Sequence, residues 1–505
     1  MERTLTISFT SDTHGYFSPV DYAKNAPAPT GVANCAAAFP RNGNSLIIDG
    51  GDTLQGSPFT YWLHRCHPHP GAAAGEIMRR AGYQFLTLGN HDFNFGRATL
   101  EEYLAAAGAV CLCAIVVGLA HVEKTALVTL ENGLRVGLTG VTTPFINLWE
   151  RPENLRGITI SDPIPAAEQA LRELKERGAE ITVCIYHGGF ERDLSTGAVL
   201  SETKENQAWE ICQRLDFDVL LTGHQHMAVE NARVAGTFTC QPPDKARSFV
   251  RLTATLDDTG GLTAESELCP AGAETRGEMA DFLAPLEQEN AAWLDKPVGR
   301  LDTALIPASH LAMAADGSLI ANFFNQVQLE ASGADISATS LGNEIRGFDR
   351  DVTIRDVVAT YIYPNTLKTL RVDRRVLKAA LERSAEYFDL DDSGALRISE
   401  SFLSPKVEHY NFDYISGVEA TVDVSRPKGD RVLSIRRQGR ELPEDVTLTL
   451  CLNNYRASGA GEYPFYPRCE LVRDQPTEIA EMIMDYITAH RDITVDKTRW
   501  LRVIW

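Results

Sequence analysis

Residues able to hold metal ions recur at the ends of apolar runs in the first half of this 505-residue chain: Asp12, His14, Asp52, Asn90, His187, His224 and His226. They supply imidazoles, carboxylates and one amide. Mixed nitrogen and oxygen donors suit Zn²⁺ or Mn²⁺, with Fe or Co as alternatives, better than Ca²⁺ or Mg²⁺. The set is too large for one tetrahedral ion but suits two ions sharing a bridging carboxylate. Two ions about 3.5–4 Å apart clamp the attacking and departing oxygens of a displacement at phosphorus. Taken singly, His187 reads as a core histidine and Asp12 or Asp52 as a helix cap. Their recurrence after predicted strands, closing on His-x-His, points to the metal pair instead.

The elements that must position these residues follow from the pattern. Residues 4–9 alternate apolar and polar as a strand does, then break at Thr10-Ser11-Asp12-Thr13-His14-Gly15. Asp12 and His14 lie two apart, so an extended segment points both the same way. A strand over 45–48 ends in Asp49-Gly50-Gly51-Asp52, and the run 85–88 ends in Gly89-Asn90-His91-Asp92. The spacing predicts helices over 72–82 and 97–107. Asp162, Pro163 and Gly178 mark a cap, a first-turn proline and a terminal glycine. That helix leads into a strand over 181–185 and then His187-Gly188-Gly189. A helix near 206–215 leads into 219–221 and Gly223-His224-Gln225-His226. Alternating strands and helices predict a layered α/β domain.

The length predicts more than one domain. A polar helical stretch over 277–296, then Pro297, reads as a connector, giving 1–275, a linker over 276–297 and a second domain over 298–505. The second domain is predicted to hold a helix near 318–331, a strand near 366–372 and a helix near 375–388. Asp389 to Gly394, with Glu400 at the twelfth position, has the spacing of a calcium loop. Pro405 leaves no room for an exiting helix, so the stretch reads as an acidic solvated turn.

A net charge of −20 argues against a nucleic-acid polymer as partner. It leaves room for a small phosphate ester where metal ions reverse the local field. The ten cysteines form no Cys-x-x-Cys pair, and no apolar run reaches membrane-span length. As the sequence stands the expected compartment is the cytoplasm, or the periplasm or exterior if a leader was removed.

The series Asp12-Thr13-His14, Gly51-Asp52, Gly89-Asn90-His91-Asp92, His187-Gly188-Gly189 and Gly223-His224-Gln225-His226 resembles the calcineurin-like metallophosphoesterase signature. With Gln55-Gly56 and a second domain, it is similar to the 5'-nucleotidase branch. The resemblance implies a four-layer α/β/β/α metallophosphoesterase domain and an α+β substrate domain of 5'-nucleotidase type, joined by a linker helix. By this likeness Asp12, His14, Asp52 and His226 hold one divalent ion, while Asp52, Asn90, His187 and His224 hold the other. His91 becomes the catalytic histidine, and Asn90 also takes a catalytic part by stabilising the equatorial oxygens of the phosphoryl group.

Many 5'-nucleotidases place an aspartate three residues after that histidine, where this chain has Asn94. The asparagine is similar to the 2',3'-cyclic-nucleotide 2'-phosphodiesterase/3'-nucleotidase subgroup. Tyr363-Pro364-Asn365-Thr366-Leu367, Tyr410-Asn411-Phe412-Asp413 and Asn453-Asn454-Tyr455-Arg456-Ala457 resemble it too. The resemblance implies a base sandwiched between aromatics, Phe412 or Tyr410 on one side and Tyr463, Tyr455 or Phe465 on the other. Asn365, Asn454 and Arg456 would contact substrate, and Arg346 stands where 5'-nucleotidases carry a substrate arginine. The expected activity is hydrolysis of 2',3'-cyclic and 3'-nucleotides. Alternatives are 5'-nucleotides, UDP-sugars, or a nucleotide-binding protein without catalysis.

Overall fold

The computed structural model describes residues 2–505 except 23, 202, 273, 274, 276 and 364, so Pro364 of the motif above lies outside the described residues. The chain divides into two compact units, Met1–Ala291 and Ala292–Trp505.

Unit 1 is built on two sheets. In the first, Arg3–Thr10, Ser45–Asp49, Phe85–Leu86, Val110–Leu112 and Val122–Glu123 run parallel in that order. Ser248–Leu256 and Leu262–Pro270 extend it antiparallel beyond Arg3–Thr10. In the second, Arg135–Thr142, Ile181–His187, Val219–Thr222 and Thr237–Gln241 are parallel neighbours. Leu5, Ile7 and Phe9 alternate onto one face of the first sheet and pack with Leu138, Val183 and Leu221 of the second. Full burial of each such side chain contributes about 1.5–3 kcal/mol. One apolar layer therefore joins the sheets and fixes where their strands end. Helices Pro70–Ala81 and Gly96–Ala107 pack on each other, and Pro163–Glu176 packs on Arg135–Thr142. Asp162 caps the last of these by accepting from Ile164 N, with Pro163 at its first turn.

Unit 2 holds a five-stranded sheet in the order Asp413–Ser416, Ile336–Ser340, Thr447–Asn453, Thr366–Asp373, Glu470–Glu478. Helices Leu319–Ser332 and Arg374–Ala385 start at caps supplied by Ser318 and Asp373. The second stops three residues short of the predicted 388. There Phe388–Leu390 pairs with Leu396–Ile398, and the acidic stretch becomes their turn, with Asp391 accepting from Ser393 N and Ala395 N. A single helical turn, Glu400–Phe402, follows. Among the described residues no helix is long and apolar enough to cross a membrane.

Candidate functional site

The parallel strands of unit 1 end in loops that turn sharply, and the turning residues are the predicted ligands. Asp12, His14, Asp52, His224 and His226 all adopt positive φ, between 49° and 69°. Left-handed backbone is uncommon for residues with a side chain and persists only where surrounding structure enforces it. Backbone bonds enforce it here. Asp12 N donates to Gly51 O at 2.9 Å, and His14 N donates to Asp52 O at 2.8 Å. Asp12 carboxylate accepts from His224 N at 2.9 Å. Gly51 and Gly89 allow their two loops to touch, since a β-carbon on Gly51 would lie 2.3 Å from Gly89 N. Asp92 ties the same loops, its buried carboxylate accepting from Asp52 N, Thr53 N, Leu54 N and Gly89 N at 2.8–3.0 Å. Sequence reasoning gave Asp92 no role, although it stands inside the Asn-His-Asp motif.

The donors meet in two groups, Asp12 with His14 and His226, and Asp52 with His187 and His224. Within each group the candidate atoms lie inside 4.8 Å of one another. Two buried donor atoms lack any hydrogen-bond partner, Asn90 Oδ1 and His187 Nε2. His187 Nδ1 donates to Gly50 O at 2.7 Å, so Nε2, 3.2 Å from Asp52 Oδ2, is the nitrogen left to take a proton or a cation. His14 Nδ1 likewise donates to Gln55 O at 2.8 Å, so its Nε2 lone pair faces His226 Nε2 at 3.0 Å. Acceptor atoms held this close in a dry interior need a proton or a cation between them. The donor set and its orphaned atoms fit divalent cations.

The electrostatics agree. Burial opposes ionisation of Asp12, yet the His226 and His187 imidazoles hold its carboxyl below the usual carboxylate range. Burial likewise opposes ionisation of Asp52, and His187 and His91 hold it well below that range. Burial opposes protonation of His187, but the Asp52 charge lifts it to about 10, so without a cation a proton takes the place between His187 Nε2 and Asp52 that a metal ion would fill. Burial and the neighbouring His226 hold His14 down to about 4, so it is neutral and free to donate a lone pair. Two further carboxylates lie beside the candidate donors. Glu205 Oε1 lies 3.0 Å from His224 Nε2, and Asp244 Oδ2 lies 3.7 Å from His226 Nδ1. Both stand outside any motif, and no local signal in the sequence marks them.

His91 lies on the short turn Asn90–Phe93 beside these groups. Its backbone N donates to Asp52 Oδ1 at 2.7 Å, and its ring centroid is 5.5 Å from that of His14. Its Nδ1 is 2.8 Å from Asn94 Oδ1.

Calcineurin-like phosphoesterase is the family profile that matches residues 5–228, and 5'-nucleotidase, C-terminal domain, matches 297–468. A Staphylococcus aureus protein described as a 5'-nucleotidase, solved in complex with alpha-ketoglutarate, is 33% identical. It aligns over 99% of each chain with a TM-score of 0.91. The chain belongs to the calcineurin-like phosphoesterases with a 5'-nucleotidase C-terminal domain. Members of this family bind a dinuclear metal centre, and this one is a hydrolase of phosphoric esters. Among its relatives is the 2',3'-cyclic-nucleotide 2'-phosphodiesterase/3'-nucleotidase of Haemophilus influenzae, 25% identical over 96% of this chain and 84% of that one. The protein of the same name from Yersinia enterocolitica is 24% identical over 96% and 85%.

In unit 2 of this phosphoesterase several expectations need correction. Phe412 is 2% exposed and packs against Tyr387, Phe388 and Tyr414, so it offers no ring face to a base. Tyr463 is fully buried, stacked on Tyr466, with its hydroxyl donating to Asn411 O at 3.1 Å. Arg456, 1% exposed, lies over the Tyr463 ring and pairs with buried Asp413 at 3.0 Å. These three are core, because the interior of unit 2 is itself aromatic. Arg346 pairs with Asp356 at 3.0 Å, the carboxylate that accepts from Thr353 N in the capping box of helix Ile354–Thr360. Asn454 Oδ1 accepts from Thr366 N, and the backbone carbonyl of Asn365 accepts from Ile479 N, bonds that leave both as candidate substrate contacts. Tyr410 is partly exposed, edge-on to Tyr363 at 6.3 Å, and Tyr455 and Phe465 are also partly exposed.

Replacing Arg456 by methionine is therefore expected to act on stability. Removing one partner of a buried ion pair costs about 3–5 kcal/mol. Denaturant unfolding should show a loss of that size, while KM for nucleotide stays unchanged at temperatures where the protein is folded.

Proposed function

We propose that this phosphoesterase hydrolyses nucleotide phosphate esters, with 2',3'-cyclic and 3'-nucleotides as its substrates. The observation that carries the reading is Asn94 on His91 Nδ1, where many 5'-nucleotidases carry an aspartate. The names of the Haemophilus and Yersinia relatives support it. The Staphylococcus protein, with its higher identity, favours 5'-nucleotides as the second reading.

In this proposal Asp12, His14, Asp52 and His226 hold one divalent ion, and Asp52, Asn90, His187 and His224 hold the other. Zn²⁺ or Mn²⁺ fits these nitrogen and oxygen donors, with Fe or Co as alternatives. Bound there, the ions supply Lewis-acid charge and lower the pKa of water. Asp52 orients both groups and anchors the His91 turn through the bond from His91 N. With Nδ1–H bonded to Asn94 Oδ1, His91 presents Nε2, which in protonated form stabilises the departing oxygen. Asn94 holds the imidazole in place without supplying a charge. Unit 2 recognises the nucleoside by stacking, which is worth roughly 1–3 kcal/mol per base. Of the aromatics expected there, Tyr410, Tyr455 and Phe465 keep exposed surface for it.

The test is turnover of 2',3'-cAMP, 3'-AMP, 5'-AMP and a UDP-sugar before and after chelation. The expected result is kcat/KM highest for 2',3'-cAMP and 3'-AMP, loss of all turnover on chelation, and recovery with Mn²⁺ or Zn²⁺. A preference for 5'-AMP hands the assignment to the second reading. Turnover that survives complete metal removal overturns both.

A further inference from the structure

An amide can offer an imidazole either its carbonyl or its NH₂, so Asn94 alone does not decide which nitrogen of His91 carries a proton. The group behind it does. Asn94 Nδ2 is 2.6 Å from Glu150 Oε2. An ionised carboxylate only accepts hydrogen bonds, so Asn94 must turn its NH₂ to Glu150 and its carbonyl to His91. That carbonyl also only accepts, so the proton sits on His91 Nδ1 and Nε2 is left facing outward. Glu150 is itself fixed. Its Oε1 accepts from Arg151 N at 2.7 Å and from Asn154 Nδ2 at 2.8 Å. Asn154 Nδ2 also reaches Asn94 O at 2.9 Å.

We propose that Glu150 is a positioning residue for the hydrolysis, setting through Asn94 the direction of the hydrogen-bond relay that ends at His91 Nε2. The proposal rests on the reading of His91 as the catalytic histidine. It gives a chain with asparagine beside that histidine a carboxylate one residue further out. A purely anchoring role is the alternative, since neighbouring Trp149 stacks on His224 at 5.7 Å and 20°.

Exchanging the two chemistries separates these roles in the metal-loaded enzyme. In Glu150→Gln the shape and an acceptor remain, but the relay can run either way. We expect kcat to fall about 10–100-fold, the range for lost support behind a working imidazole, with KM within about twofold. The ¹⁵N spectrum of His91, assigned by difference from His91→Gln, should change from one tautomer to a mixture. Asn94→Asp sets two carboxylates against each other and should lose at least as much. In the double variant Asn94→Asp/Glu150→Gln, the introduced aspartate accepts from His91 and the introduced glutamine donates to that aspartate. Its kcat should exceed that of Asn94→Asp by about tenfold or more, a non-additive coupling between the two positions. Additive losses, or a Glu150→Gln enzyme with unchanged kcat and unchanged His91 spectrum, overturn the proposal. Wild-type enzyme that turns over no phosphate ester overturns the reading of the site instead, while the His91 spectrum still reports on the relay.

Discussion

Asn in place of Asp52 is expected to remove nearly all turnover, with kcat down on the order of 10⁴-fold, as for loss of a central member of a catalytic unit. Asp52 is 1% exposed, and its two oxygens serve different partners. Oδ1 accepts from His91 N at 2.7 Å, and Oδ2 lies 3.2 Å from His187 Nε2. Asparagine keeps the size but removes the charge and turns one of these acceptors into a donor. Elemental analysis should find fewer than two bound ions per chain, and the fold should survive because Asp92 still ties the loops through backbone N–H groups. Two ions retained together with kcat within tenfold of wild type would take Asp52 out of the proposed donor sets.

His91→Ala is expected to lower kcat about 10²–10⁴-fold, the usual range for a positioned acid or base, while metal content stays unchanged. The separation follows from geometry. His91 belongs to neither donor group, and its contact with Asp52 is through the backbone, which alanine keeps. The loss should depend on the leaving group. A nucleoside alkoxide needs charge stabilisation as it departs, whereas p-nitrophenolate does not. The variant should therefore lose under about tenfold on a p-nitrophenyl ester, where the need for acid assistance is small. An equal loss on both substrates would assign His91 to binding the phosphoryl group instead of assisting departure.

Much of the donor set was legible because its logic is local. An apolar run that stops at Asp-x-His, Gly-Asp, Asn-His-Asp or His-x-His says that a strand ends and that polar groups follow it. Strand Ile181–His187 shows how little room this leaves, since His187 is the last residue of the strand itself. Helix Pro163–Glu176 was legible for the same reason, its cap and first-turn proline being chain neighbours.

The aromatics of unit 2 were not legible in this way. Phe412, Tyr463 and Arg456 have the types a base-binding site would use, and in the fold they are core. Residue type records that a ring is apolar or a side chain charged, but not which neighbours cover it. Asp92 was hidden in plain sight, because its four backbone donors come from loops that meet only after folding.

By itself, the sequence determined the types of the candidate donors, their order and the strands that carry them, since each depends on residues within a few positions of one another. Only the tertiary structure decided which donors group together, which rings are covered, and that Glu150, 56 positions from Asn94, stands behind it. Those outcomes depend on packing between distant segments, and no local pattern encodes a contact of that kind.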